Sequence, residues 1–248
     1  YANHLYFVGN LEKAEKFYLK TIKINQFDFE LKYFLSLLQL SKNNYKEGWK
    51  NFKYRWLSDT FSTKEKKINL PIYKNNENQK KIYVWGEQGI GDQIIFSRFF
   101  KNIHLDGKEL FATVNPKLLK LFNNSFPYVN YVDALEKNKV QCHLPMGDLG
   151  KFYVNNINDL KNNSSKYLKI NKEKSESLKK ILPSGKKICG ISWLSKNEGF
   201  GKSKSLSLKK LKKILSLPDY VFVDLQYGDT REERNKLTKN SGINIFKI

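Results

Sequence analysis

Lys81-Ile82-Tyr83-Val84-Trp85-Gly86-Glu87-Gln88-Gly89-Ile90-Gly91-Asp92-Gln93-Ile94-Ile95-Phe96-Ser97-Arg98-Phe99-Phe100 decides how the rest of the chain is read. Ile82 to Trp85 is an apolar, β-branched and aromatic run of strand length, and glycines follow it before the pattern changes period. The stretch predicts a buried strand, a tight turn and a helix, with Asp92 at the N-cap and Ile94, Ile95, Phe99 and Phe100 supplying the apolar helical face. Glycines at such a turn let the backbone come close to a ligand, and the positive end of the helix favours an anion. The gaps in Gly86-x-x-Gly89-x-Gly91 run in the wrong order for the dinucleotide fingerprint, and no Gly-Lys-Ser/Thr follows as a P-loop requires. Spacing alone therefore leaves two readings open, a ligand-binding turn and a glycine-rich turn with no ligand.

Downstream the chain keeps alternating between strand and helix, which predicts an α/β architecture with a parallel sheet covered on both faces. Strands are expected over Glu109 to Asn115, Tyr128 to Ala134 and Val140 to Leu144, with a helix opened by Pro116 and running through Phe122. A polar helix, Lys172 to Leu182, ends at Pro183-Ser184-Gly185, which reads as a hinge. A second alternation follows. It predicts strands over Lys187 to Trp193, Tyr220 to Leu225 and Ile243 to Ile248, and helices over Ser207 to Leu217 and Thr230 to Lys239.

Upstream, a shift that places Gly9-Asn10-Leu11 on Asn43-Asn44-Tyr45, Ala14 on Gly48 and Tyr18 on Phe52 repeats at the ~34-residue period of tetratricopeptide hairpins. Helices are expected over Leu11 to Ile24, Asp28 to Leu40 and Tyr45 to Leu57, the first hairpin lacking its opening helix. Leu11, Ala14, Phe17, Tyr18 and Ile22 form one apolar face. Such an array needs neighbours, so these hairpins are expected to extend a longer solenoid or to pack on the next domain. The aromatic stripe Trp49-x-x-Phe52-x-Tyr54-Arg55-Trp56 reads as interdomain packing. The expected division is 1–58 helical repeats, 59–80 a charged linker, 81–182 a first α/β half and 183–248 the start of a second.

Glu87 to Phe99 resembles the first loop of bacterial tetratricopeptide-repeat proteins with a C-terminal heptosyltransferase-like domain, a GT-B glycosyltransferase of the family 9 type. Cys189-Gly190-Ile191-Ser192-Trp193, Lys204-Ser205-Leu206-Ser207-Leu208 and Phe222 to Gly228 resemble later segments of the same group in the same order. Gly48 to Trp56 is similar to its junction, and Pro145 to Leu149 to its segment before the interdomain region. The resemblance implies two Rossmann-like halves facing a cleft, with the second half here incomplete, so that the chain is a fragment expected to be inactive alone. It implies sugar transfer from a nucleotide-sugar donor to a hydroxyl acceptor with inversion, Asp92 being the position that matches the catalytic base. Glu87, Gln88, Gly89 and Gly91 form the acceptor-side loop, Glu87 either orienting the acceptor or simply exposed. Ser192, Lys202, Lys204 and Gln226 are the implied donor and phosphate contacts. Lys204 stands where many relatives carry Arg, which loses the bidentate fork. Taken alone, the same residues fit plainer roles as well: Asp92 as a helix cap, Lys202 as solvated surface and Gln226 as a buried structural amide.

The formal charge of +21 invites a nucleic-acid reading. Only Arg55, Arg98, Arg231 and Arg234 are arginines, however, leaving 41 lysines scattered among Asn and Ile, whereas specific readers of nucleic acid lean on Arg. Cys142 and Cys189 lack CxxC spacing and read as small buried hydrophobes, and His4, His104 and His143 lack ligand spacing, so neither a disulfide framework nor a metal or other cofactor is expected. No run approaches the ~20 apolar residues of a membrane span. The expected location is cytoplasmic, or peripheral at the inner membrane face. The expected partners are the donor, a saccharide, lipid-linked or protein acceptor, and a protein on the repeat helices. The alternatives are a non-catalytic repeat scaffold with a degenerate transferase domain and a basic nucleic-acid binder.

Overall fold

The computed structural model describes residues 1–162, 166–195 and 204–247. The chain is mixed α/β, with a helical N-terminus and two parallel sheets, and divides into two compact units, Tyr1–Ile170 and Asn171–Ile248. Among the described residues no helix is long and apolar enough to cross a membrane.

The first unit opens with α1 (Ala2–Phe7), α2 (Leu11–Ile24), α3 (Phe29–Ser41) and α4 (Tyr45–Phe52), continued by a 3₁₀ turn over Lys53–Leu57. Asp28 caps α3 by accepting the Leu31 N–H at 2.9 Å. The small residues sit where helices touch: Ala14 is fully buried beside Leu5, Tyr18 and Leu38, and a Cβ on Gly48 would lie 2.7 Å from Leu40. The short α1 supplies Leu5 to this core and ties Asn3 to the Tyr18 hydroxyl at 2.8 Å. Phe17, expected on the buried face, is 39% exposed and meets the Tyr1 ring edge-on.

The first sheet contains β1 (Lys81–Trp85), β2 (Glu109–Thr113), β3 (Val129–Tyr131) and β4 (Cys142–Pro145), all parallel in the order β3-β2-β1-β4. Alternation along β1 decides what covers each face. Ile82 and Val84 enter a core with Phe99, Phe100, Ile103, Phe122 and Phe126, contributed by α5 (Ile90–Ser97), α6 (Phe100–Leu105) and α7 (Leu119–Ser125). Tyr83 and Trp85 point the other way, onto Val140, Val132 and Leu135.

The opposite face follows from topology. Right-handed crossovers put α5 to α7 on one side, and the return from β3 to β4 must cross the other. That return is helix-poor, a 3₁₀ turn over Lys137–Lys139. Trp56 from the aromatic stripe, with Ile68 and Leu70 from the stretch 59–80 expected as linker, covers what remains: all three pack on Tyr83 and Trp85, the two tryptophan rings 5.6 Å apart. Beyond it the chain lies along β4, exchanging backbone hydrogen bonds of 2.9 Å through Pro71, Tyr73 and His143, with Tyr73 buried. After β4 come a 3₁₀ turn over Met146–Leu149, α8 (Gly150–Tyr153) and α9 (Ile157–Asn162). The Trp49 indole N–H donates to the Val154 carbonyl at 3.0 Å, so the helical segment and the sheet share one core.

The second unit has α10 (Lys172–Ile181), with no buried residue, then β5 (Lys187–Ile191), α11 (Leu208–Leu215), β6 (Tyr220–Asp224), α12 (Arg231–Ser241) and β7 (Ile245–Lys247). The strands are parallel in the order β5-β6-β7, and Leu208, Leu215, Phe222, Leu237 and Ile245 pack around Trp193. Gly242 ends α12 in the left-handed conformation, φ 67°. Both cysteines are free; Cys142 is buried as expected, whereas Cys189 on the outer strand β5 is only half-buried.

Packing between α8 and α4 gives a direct check. A Cβ on Gly150 would lie 2.3 Å from the Trp49 ring. Gly150→Ala is expected to lower unfolding stability by about 1–3 kcal/mol in chemical denaturation, as overpacking does; an unchanged midpoint would contradict this packing.

Candidate functional site

In an open parallel sheet the order β3-β2-β1-β4 reverses direction at β1, and loops leaving the carboxyl ends of β1 and β4 diverge there into the crevice where ligands of such sheets gather. The loop after β1 is Gly86 to Gly89, and the loop after β4 is the turn Met146–Leu149.

The crevice is filled from within the chain. Arg55, fully buried on the 3₁₀ turn after α4, directs its guanidinium between Glu87 of one loop and Asp148 of the other. Its Nε and Nη2 donate to the Glu87 carboxylate at 3.3 Å, Nη2 pairs with Asp148 Oδ1 at 2.7 Å, and Nη1 donates to the Phe52 carbonyl at 3.1 Å. The guanidinium lies over the rings of Trp56 and Phe52, 4.1 and 4.3 Å from their centroids. Glu87 Oε1 also accepts the Gly147 N–H at 2.8 Å; a Cβ on Gly147 would sit 1.9 Å from that oxygen, so only glycine fits. Lys151 completes the cluster with an ion pair to Asp148 at 3.3 Å.

Glu87 is therefore neither exposed nor turned to an acceptor, because it is 2% exposed and bound by Arg55. Burial pushes its pKa up to about 7, the Arg55 charge pulling it down and Asp148 pushing it back up.

The rest of the loop divides into a fixed part and an open part. A Cβ on Gly86 would strike the buried Gln93 side chain at 2.7 Å, whose Oε1 accepts the Asn115 N–H at 2.8 Å, so Gly86 is a packing requirement. Gln88 has a left-handed backbone, φ 58°, and donates its N–H to Thr63 Oγ1 at 2.7 Å. Gly89, not Asp92, is the N-cap of α5. Having no side chain to cap with, it leaves its own N–H to Asp92 at the third helical position, whose Oδ2 accepts it at 3.0 Å. Gly89 and Gly91 are exposed, and a Cβ on Gly91 would meet no atom within 4 Å. Asp92 is half-buried, and its Oδ1 has no hydrogen-bond partner among the described residues. The accessible part of the loop is thus Gly89 to Asp92. Ile95, expected on the apolar face of α5, is 56% exposed.

In the second unit Gln226 is the hub. Its Oε1 accepts from the Ser192 hydroxyl at 2.9 Å and from the N–H groups of Trp193 and Leu194 at 3.0 and 2.8 Å, while Nε2 donates to the Leu194 carbonyl at 3.0 Å. The amide is buried and its oxygen is taken by the loop after β5, the behaviour of a structural amide. Asp224 is buried beside it and accepts from the Gln226 N–H, the Thr230 hydroxyl and Lys247 Nζ, with Arg234 Nε at 3.2 Å. Burial raises its pKa, but these hydrogen bonds outweigh it and hold the carboxyl below its ordinary range. Ser192 and the exposed Lys204 line a hollow of about 300 Å³ with Gly190, Leu206 and Leu211. Lys202 lies outside the described residues. Among the described residues no group of His, Cys, Asp and Glu is arranged to hold a metal ion.

Sequence reasoning missed Arg55 and Asp148 as partners of Glu87. The available signal was a rare arginine, one of four among 45 basic residues, inside an aromatic stripe. The chain matches no protein-family model, no characterised protein and no solved structure.

The raised pKa of Glu87 fixes the sign of a pH effect. The folded state holds the proton up to about pH 7 and the unfolded chain releases it near 4.5, so this group's contribution is present at low pH and lost as pH rises between those values. Denaturation at pH 5 and pH 8 is expected to show a stability loss smaller by about 2–3 kcal/mol in Glu87→Gln than in the parent. Equal losses would contradict it.

Proposed function

We propose that the chain is glycosyltransferase-like, with tetratricopeptide-like helices preceding Rossmann-like units of the GT-B type. The observation that carries this reading is the rim Gly89 to Asp92, at the carboxyl end of the inner strand β1 of a parallel sheet, with Gly89 and Gly91 exposed and Asp92 half-buried on it. The motif resemblance at Glu87 to Phe99 and at Lys204 to Leu208 supports the assignment of sugar transfer.

In this reading Asp92 accepts the proton of an acceptor hydroxyl. The acceptor oxygen forms the new bond to the anomeric carbon as the bond to the diphosphate breaks, and the nucleoside diphosphate leaves with the bonding electrons. Configuration inverts in one displacement. Lys204, with Ser192, binds the diphosphate and offsets the charge that grows on it. Gln226 contributes by fixing the loop that carries Ser192.

A second reading, a repeat scaffold with a degenerate transferase domain, is favoured by one observation: Arg55 occupies the crevice where a ligand of the first sheet would otherwise enter.

The experiment is a transfer assay on the whole protein across a panel of nucleotide sugars. Asp92→Asn separates base from cap, because an amide oxygen still accepts the Gly89 N–H while losing the ability to take a proton. The expected result is acceptor-dependent release of nucleoside diphosphate, lowered about 10²–10⁴-fold in Asp92→Asn at unchanged melting temperature. Absence of release with every donor, together with no nucleoside diphosphate binding by calorimetry, would overturn the transferase in favour of the scaffold.

A further inference from the structure

Three successive residues of the β1 loop are each held by a different partner. Arg55 grips Glu87, Thr63 Oγ1 accepts the Gln88 N–H at 2.7 Å, and Asp92 accepts the Gly89 N–H at 3.0 Å. Two of these partners, Arg55 and Thr63, come from the chain before β1, outside the α/β layer whose loop they hold. Between them lies Gln88, whose left-handed φ of 58° an ordinary side chain adopts only when its surroundings impose it. Glycines stand on either side at Gly86 and Gly89, yet the strained position carries a glutamine, so the conformation is fixed from outside the loop rather than by a local glycine preference.

We propose that Arg55 and Thr63 are positioning residues for the Gly89–Asp92 rim, which makes the helical segment a fixed part of the site rather than a separable adapter. Arg55 sets the direction of the loop at Glu87 and, through the Gly147 N–H held by the same carboxylate, its spacing from the loop after β4. Thr63 then fixes the peptide at Gln88, and the Gly89 N–H follows into its bond with Asp92. The orientation of the Asp92 carboxylate is thus set by residues that never touch a substrate. The proposal about loop geometry stands by itself; its consequence for turnover rests on the transferase reading.

Thr63→Val tests the geometry with little threat to the fold. Amide hydrogen exchange is expected to quicken at Gln88 and Gly89 by about five- to tenfold, the change that corresponds to one lost hydrogen bond, while Ala112 in β2 stays as it was. Unchanged exchange at the two loop amides, or equal quickening at Ala112, would overturn the proposal. Arg55→Ala supplies a second arm: it leaves a hole between Trp56, Phe52 and two carboxylates with the shape and charge of a guanidinium ion. Millimolar guanidinium, but not equimolar urea or sodium chloride, is expected to raise the melting temperature of this variant and to leave the parent unaffected; an identical response to all three additives would count against Arg55. In the transfer assay Thr63→Val is expected to lower kcat at unchanged KM. A parent protein that transfers no sugar would end the transferase reading, and the exchange rates would still decide the positioning role.

Discussion

A single buried cation sits between two carboxylates from different loops, and the first unit is built around that arrangement. Arg55, Glu87 and Asp148 come from a helical turn, the loop after the central strand and the loop after its neighbour. Burying such charges costs several kcal/mol each unless every one is paired and hydrogen-bonded, and breaking one member out of the set is more costly than never having buried it. Here the pairing is met by the guanidinium fork, the Gly147 N–H, the Phe52 carbonyl and Lys151. The arrangement therefore joins helices, linker and sheet into one cooperative body, reinforced by the Trp49 bond to Val154 and the packing of Trp56 on Trp85.

This constraint decides what the loop offers to a ligand. The inner half, Gly86 and Glu87, is occupied by Gln93 and Arg55; the outer half, Gly89 to Asp92, is open. The second unit divides its polar groups in the same way: Gln226 and Asp224 commit their hydrogen bonds to holding the loop after β5 and the ends of β6 and β7, and Ser192 and Lys204 border the hollow. In a chain with 41 lysines, three of the four arginines hold structure together, Arg55 at Glu87, Arg98 at the Leu160 carbonyl and Arg234 at Asp224. The high net charge is carried mainly by lysine and says little about the site.

The order of strands and helices was legible because it is local: β-branched runs such as Tyr220 to Asp224, the Pro116 helix start and the small residues Ala14 and Gly48 each carry their own signal. Ends shifted where capping decided them. Helix α5 starts at Ile90, with Gly89 as its N-cap because the loop turns there, and Asp92 falls inside it. The stretch 59–80 looked like a linker, since Lys and Asn dominate it, but its few apolar residues meet the bare face of β1, which no local pattern reveals. Glu87 was misread for the same reason: its partner Arg55 lies 32 residues upstream, and nothing within the glycine-rich loop announces that its carboxylate turns inward. The buried amide of Gln226 was open to reading because it lies just past the carboxyl end of β6, two residues after the buried Asp224.

The most direct measurement is a double-mutant cycle on Arg55→Met and Glu87→Gln, each variant and the pair unfolded by denaturant at neutral pH. If the guanidinium bridge holds the unit together, the single Arg55→Met variant loses about 3–5 kcal/mol and the second substitution restores a substantial part of it, because no unpaired carboxylate is left buried at Glu87. Additive losses in the double variant would mean that the two side chains are merely neighbours, and would contradict the account.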